Sequence, residues 1–119
     1  MPHHYWLLLC VGVVLSATGA IVLKIGAMEV DYALGLAAAM SQVASNWKIG
    51  LGLLLYFIPA LIWIFMLKRV EVSLLQPLFS LVYVLTPVLA AVFLHEPVSW
   101  VRWLGIALVI IGVVVIGHG

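Results

Sequence analysis

Three long stretches of this chain carry no charged residue: Tyr5 to Leu23, Ile49 to Leu67 and Val72 to Leu94. Each approaches the roughly 20 apolar residues that an α-helix needs to cross the hydrocarbon of a bilayer. A fourth apolar run, Trp103 to Gly117, reaches spanning length when Trp100, Val101 and Arg102 form its first turn, with the arginine snorkelling to the surface. The pattern predicts four transmembrane helices over 5–25, 49–67, 72–94 and 100–117, in one all-α membrane domain covering 1–119.

The segments between the spans predict how they connect. Only Lys68 to Glu71 separates the second span from the third, so these two form an antiparallel hairpin. The turn "HEPVS" at 95–99 joins the third to the fourth: Pro97 stops helix continuation and Ser99 is suited to cap the last helix. Residues 26–48 are too polar to span, yet "YALGLAAAMSQVA" suits a short helix lying at the membrane interface, and Trp47 with Lys48 reads as an interfacial anchor.

Composition agrees. Of 119 residues, 67% are hydrophobic and only 8% charged, against about half and a quarter in a soluble domain. A net charge of +1 gives no reason to expect nucleic acid. No Lys or Arg precedes the first apolar run, so a cleaved leader is not expected. Cys10 lies inside that run and reads as a small buried hydrophobe. Orientation is nearly tied: Lys68 and Arg69 lie on one side, Lys48 and Arg102 on the other, with Lys24 joining them if its head reaches that surface. A tie of this kind fits insertion in both directions and an antiparallel dimer.

Polar residues within the spans carry the candidate chemistry, because buried polar groups in a membrane are costly and usually functional. On a continuous third helix Ser73, Gln76, Ser80, Tyr83 and Pro87 fall in one stripe about 80° wide. Pro77 and Pro87 each remove a backbone donor, freeing the carbonyls of Ser73 and Tyr83. The stripe therefore reads as a cavity wall, with helix–helix hydrogen bonding as the alternative. In the first span Gly12, Ser16 and Ala20 recur every four residues with Gly19 beside them, a row that allows close helix approach, and Lys24 continues it. Lys24 either snorkels to the headgroup layer or holds a phosphate as a point charge. Tyr56, Pro59 and Trp63 share one side of the second span and suit packing or the lining of an apolar groove. Gly105, Val109 and Gly112 form a seam on the fourth that suits a second copy. Arg69, Glu71 and Glu96 are candidates for a gate or an ion pair: Glu71, at the end of the third span, could gate or pair with Arg69. Glu96 suits a structural cap of the turn before the fourth span, with pairing to Lys24 or Arg102 as the alternative. No spacing suggests a metal site, a cofactor or a catalytic nucleophile, so no enzyme is expected.

Four helices, "LK" closing the first, and the glycine pair of the fourth resemble the small multidrug resistance proteins of the drug/metabolite transporter superfamily. That resemblance implies antiparallel dimers exchanging protons for cations through a glutamate in the first helix, and here Ser16 stands in the glutamate's place. The chain more closely resembles an EamA-like branch of the same superfamily, the short subunits that flip undecaprenyl-phosphate-linked aminoarabinose across the bacterial inner membrane. Their Ser-x2-Gly-x4-Lys pattern is met by Ser16, Gly19 and Lys24; their Pro-x2-Ser-Leu, followed by His-Glu-Pro-Val-Ser, is met by Pro77, Ser80, Leu81 and His95 to Ser99. Where those subunits tend to have an aromatic before the proline, this chain has Gln76.

The expectation is a multi-pass flippase subunit of the bacterial inner membrane, working as a homodimer or with a paralogue. Its substrate would be a polyprenyl-phosphate-linked sugar or a related anionic lipid. Lys24 would receive the phosphate, while Ser16, Gln76, Ser80 and Tyr83 would line the headgroup cavity. The alternatives are a small-solute exporter of the multidrug kind and an accessory subunit that does not itself transport.

Overall fold

A computed structural model describes residues 3–119, and among them every regular element is helical. The elements are α1 (His3–Met28), α2 (Leu36–Ser45), α3 (Trp47–Leu67), α4 (Val72–Phe79), α5 (Val82–Phe93) and α6 (Trp100–Gly117), with a short 3₁₀ turn at Tyr32–Leu34. Four spans are long and apolar enough to cross a membrane, α4 and α5 together making the third. The chain is a multi-pass membrane protein. Its spans start or end up to three residues from the expected positions, the first extending to Met28 because its apolar backbone runs on past Lys24.

α1 is the centre of the bundle, packed along its length against α3. The two run antiparallel: Gly26 faces Ile49, Gly19 faces Gly52 and Leu55, and Gly12 faces Pro59. Gly19 and Gly52 bring the backbones together, since a Cβ on Gly19 would lie 3.1 Å from the Gly52 carbonyl oxygen, and one on Gly52 would lie 3.2 Å from the Gly19 carbonyl oxygen. Small residues at such crossings give membrane helices their van der Waals contact. The close row on α1 is thus Gly12, Gly19 and Gly26, seven apart, and Ser16 lies buried between the first two.

The apolar core sits at the end of the bundle where α3 turns into α4. Tyr5, Leu9, Met66, Val70, Leu75, Leu78 and Val113 are buried together there. Tyr5, Ile116 and Gly119 line one cavity at this end, so α1 begins and α6 finishes on the same side of the membrane.

The third span is not one continuous helix. It breaks at Ser80–Leu81, where Ser80 N–H donates to the Pro77 carbonyl at 3.0 Å and Leu81 N–H to the Leu78 carbonyl at 3.2 Å. The Ser80 hydroxyl also donates to the Pro77 carbonyl. That carbonyl, which Leu81 would take in a regular helix, is occupied from Ser80 instead, and the turn tightens. The single polar stripe expected over Ser73 to Pro87 is corrected by this break, which resets the angular register beyond Ser80.

The opposite end carries a folded strap. Gln42 accepts from Asp31 N–H at 2.7 Å and donates to its carbonyl at 3.0 Å, closing the 3₁₀ turn against α2. Asn46 caps α3 by accepting from Lys48 N–H, and its amide donates to Gly26 O and Glu29 Oε2. Glu29 is ion-paired with Lys48. Leu36, Met40 and Val43 stay exposed on the outer side of α2 in line with Trp47, as befits a helix lying at an interface. α5 ends as His95 turns through the left-handed region (φ 55°), and Ser99 caps α6 by accepting from Arg102 N–H at 3.3 Å.

Candidate functional site

Polar groups occupy three levels along α1. At the strap end Lys24 Nζ lies 3.9 Å from Glu96 Oε1, with the side chains 53% and 43% exposed. α1 delivers the lysine, and the left-handed turn at His95 delivers the carboxylate. Pairs this exposed are worth roughly 0.2–1 kcal/mol, so a stronger partner can displace either member. Arg102, in the first turn of α6, lines the same cavity as Glu96.

About 12 Å further in, two turns and a little more along α1, Ser16 opens on a cavity of about 330 Å³ shared with Tyr56, Pro59, Ala60, Trp63, Gln76 and Phe79. Ser16 is 7% exposed. The Trp63 indole N–H is buried there without a hydrogen-bond partner, and a buried donor left unpaired costs about 1–3 kcal/mol. This wall therefore favours a ligand with acceptor oxygens. No carboxylate lines it.

At the far end a cavity of about 580 Å³ is lined by Tyr5, Arg69, Glu71 and Ser73 among others. Arg69 donates to the Tyr5 hydroxyl at 3.4 Å; among the described residues the ion pairs are Lys24–Glu96 and Lys48–Glu29, and the expected pairing of Glu71 with Arg69 is not formed. The arginine reaches across to α1 instead of to its neighbour in the turn. Nineteen residues separate Tyr5 from Lys24, a rise of about 28 Å at 1.5 Å per residue, close to the roughly 30 Å of hydrocarbon.

The structure brings Ser16 and Gln76 together and adds Tyr56, Pro59 and Trp63 from the second span. It separates Ser80 and Tyr83 from them. The Ser80 hydroxyl is committed to the Pro77 carbonyl, and Tyr83, beyond the break, is 69% exposed on the outer surface. Phe79, which also lies against Gly12 of α1, enters the cavity wall without a sequence signal, being one apolar residue among many. On α6 the expected seam is divided: Val109 packs inward against the core, while a side chain at Gly105 or Gly112 would meet nothing within 4 Å. A group of three or more metal-ligating side chains does not occur among the described residues.

The EamA-like transporter family matches residues 32–117. Over 94% of its length the chain is 32% identical to a probable 4-amino-4-deoxy-L-arabinose-phosphoundecaprenol flippase subunit ArnE of Escherichia fergusonii, covering 96% of that protein. It is 38% identical to a subunit ArnF of the same probable flippase in Shewanella sediminis, over 71% of this chain and 57% of that one. A subunit ArnE of Aeromonas hydrophila is 35% identical over 63% of this chain and 60% of its own. No solved structure matches. Four apolar spans, a glycine-lined first helix among them, and a match over most of the sequence agree, and the chain belongs to the EamA-like transporter family.

Proposed function

We propose that this chain is a subunit of a flippase that carries a polyprenyl-phosphate-linked amino sugar across the bacterial inner membrane, paired with a second copy or a paralogue. The observation that carries the reading is the Lys24–Glu96 pair at the membrane edge. A phosphodiester headgroup bearing an amine has one negative and one positive charge. It replaces the internal pair charge for charge: phosphate on Lys24, ammonium on Glu96. The internal pair is held at 3.9 Å and half exposed, so it is weak, and two direct charge-assisted contacts at hydrogen-bond distance replace it. The relatives named for an aminoarabinose-phosphate lipid support the same headgroup chemistry.

From the edge the headgroup has a polar wall to follow. Ser16, Gln76 and the unpaired Trp63 N–H suit sugar oxygens at mid-membrane, and Arg69 with Tyr5 suits the phosphate at the other face. With no carboxylate at Ser16, transport is downhill, driven by synthesis on one side and consumption on the other.

Binding of lipids to the purified protein, read by native mass spectrometry, tests this. Lys24→Ala is expected to weaken retention of both undecaprenyl phosphate and its aminoarabinose conjugate about tenfold or more. Glu96→Gln is expected to weaken the conjugate selectively, leaving undecaprenyl phosphate bound. Equal binding of both lipids by wild type and both variants would sink the assignment.

A further inference from the structure

The cavity that Glu96 lines is not the one that Ser16 lines. It is a groove of about 440 Å³ between α5 and α6, formed by Thr86, Pro87 and Ala90 on one side and Gly105, Ile106 and Val109 on the other, with Glu96, Val98 and Arg102 at its outer end. From Arg102 to Val109 it runs about 10 Å into the membrane at 1.5 Å per residue. Within that depth its walls are apolar apart from Thr86, whose hydroxyl oxygen is buried and without a hydrogen-bond partner. The outer end holds two cations, Lys24 and Arg102, against one carboxylate.

From this arrangement we infer that the α5–α6 groove seats the hydrocarbon chain of the phosphate-bearing lipid, with its phosphate held at the mouth between Lys24 and Arg102. The inference rests on the lipid reading above and adds a location for the chain, which the mid-membrane cavity does not provide. Three observations choose this occupant. The excess positive charge at the mouth matches one phosphate. The groove leads from that charge toward the bilayer centre, the direction in which a lipid chain runs. Gly105 is one of its lining residues, exposed, and a side chain there would meet nothing within 4 Å, so the protein leaves that part of the wall open.

Gly105→Leu puts a bulky side chain on the groove wall at a position where its Cβ meets nothing within 4 Å, and leucine favours the helix over glycine, so the backbone there is not strained by the test. The full chain in detergent is titrated with undecaprenyl phosphate, with phosphatidylethanolamine as the reference lipid, and native mass spectrometry reports bound lipid and subunit number together. Wild type is expected to prefer undecaprenyl phosphate. Gly105→Leu is expected to keep its melting temperature and subunit number and to lose that preference by about tenfold or more. Arg102→Gln, which leaves the groove open, is expected to weaken it about tenfold through the phosphate alone. Undiminished binding in Gly105→Leu would overturn the groove and leave the flippase reading standing. A wild type that binds undecaprenyl phosphate no better than phosphatidylethanolamine would overturn both. A Gly105→Leu chain that falls to monomer while Arg102→Gln binds as wild type would overturn the inference by showing the groove to be the seat of a second copy.

Discussion

Gly19 shows how much one missing methyl group controls. Its Cβ position lies 3.0 Å from Leu55 Cβ and 3.1 Å from the Gly52 carbonyl oxygen, both attached to the backbone and unable to swing away. Gly19→Ala is therefore expected to push α1 and α3 apart and to cost about 1–3 kcal/mol, seen as a lower melting temperature in detergent. Gly50→Ala, on the same helix pair but with nothing within 4 Å of its Cβ, is the control and is expected to change stability little. A melting temperature unchanged by Gly19→Ala would mean that the helices are not in this close register. The glycines on α1 were legible as a close-approach row, and so was Lys24 as a cation at the edge. Glu96 could be named as a partner for that cation or for Arg102 without choosing between them; the partners of the glycines could not be named. Gly52 and Leu55 are distant in sequence, and nothing in a single chain's periodicity says which residue of a second helix lies opposite a given glycine.

The strap over residues 29–48 is a polar element built to hold the outer ends of α1 and α3 together. Its Glu29 carboxyl is drawn below its ordinary pKa of 4.5, chiefly by the hydrogen bond from Lys48; burial opposes that shift, and the hydrogen bond from Asn46 and the lysine's charge add smaller lowering effects. A depressed carboxyl stabilises the folded form above its unfolded pKa and ceases to do so as pH falls through the folded value. The strap is expected to be closed at neutral pH and to loosen only below about 4.5, where the unfolded chain begins to take up the proton. Trp47 fluorescence followed through an acid titration would report the opening, and Glu29→Gln should abolish that transition; a transition that survives the substitution would assign it to another group. That a short helix lies in this segment could be read from its apolar spacing. The reciprocal bonding of Gln42 with Asp31 could not, because it depends on a backbone turn that composition leaves open. α4 and α5 illustrate the same limit: the two prolines marked a disturbed third span, but the break fell at Ser80, where a side-chain hydroxyl competes for a carbonyl.

The assembled bundle measures 51 × 36 × 20 Å, and 20 Å is only about two helix diameters. A slab this thin cannot enclose a headgroup on all sides, which is why a second subunit is part of the proposed function. Its outer α3 and α6 side chains, such as Phe57, Leu61, Leu108 and Ile111, are exposed, as suits a surface facing lipid. The charges at its two ends are nearly balanced, with Lys68 and Arg69 beside the described ends of α1 and α6, and Lys24, Lys48 and Arg102 at the strap end. A reporter fused after Gly119 is thus expected on both faces of the membrane, and the double variant Lys68→Ala, Arg69→Ala is expected to move it to the outer face, since the strap end then carries all the lysine and arginine. A reporter confined to one face in wild type would rule out dual insertion. Residue order by itself determined that the chain crosses the membrane four times, where its turns fall and which cation stands at the edge, because apolar run length and charge placement act locally against the bilayer. Only the tertiary structure decided that Lys24 pairs with Glu96, that Gln76 joins Ser16 while Tyr83 turns outward, and that a groove opens between α5 and α6, because each depends on which helix faces lie opposite one another.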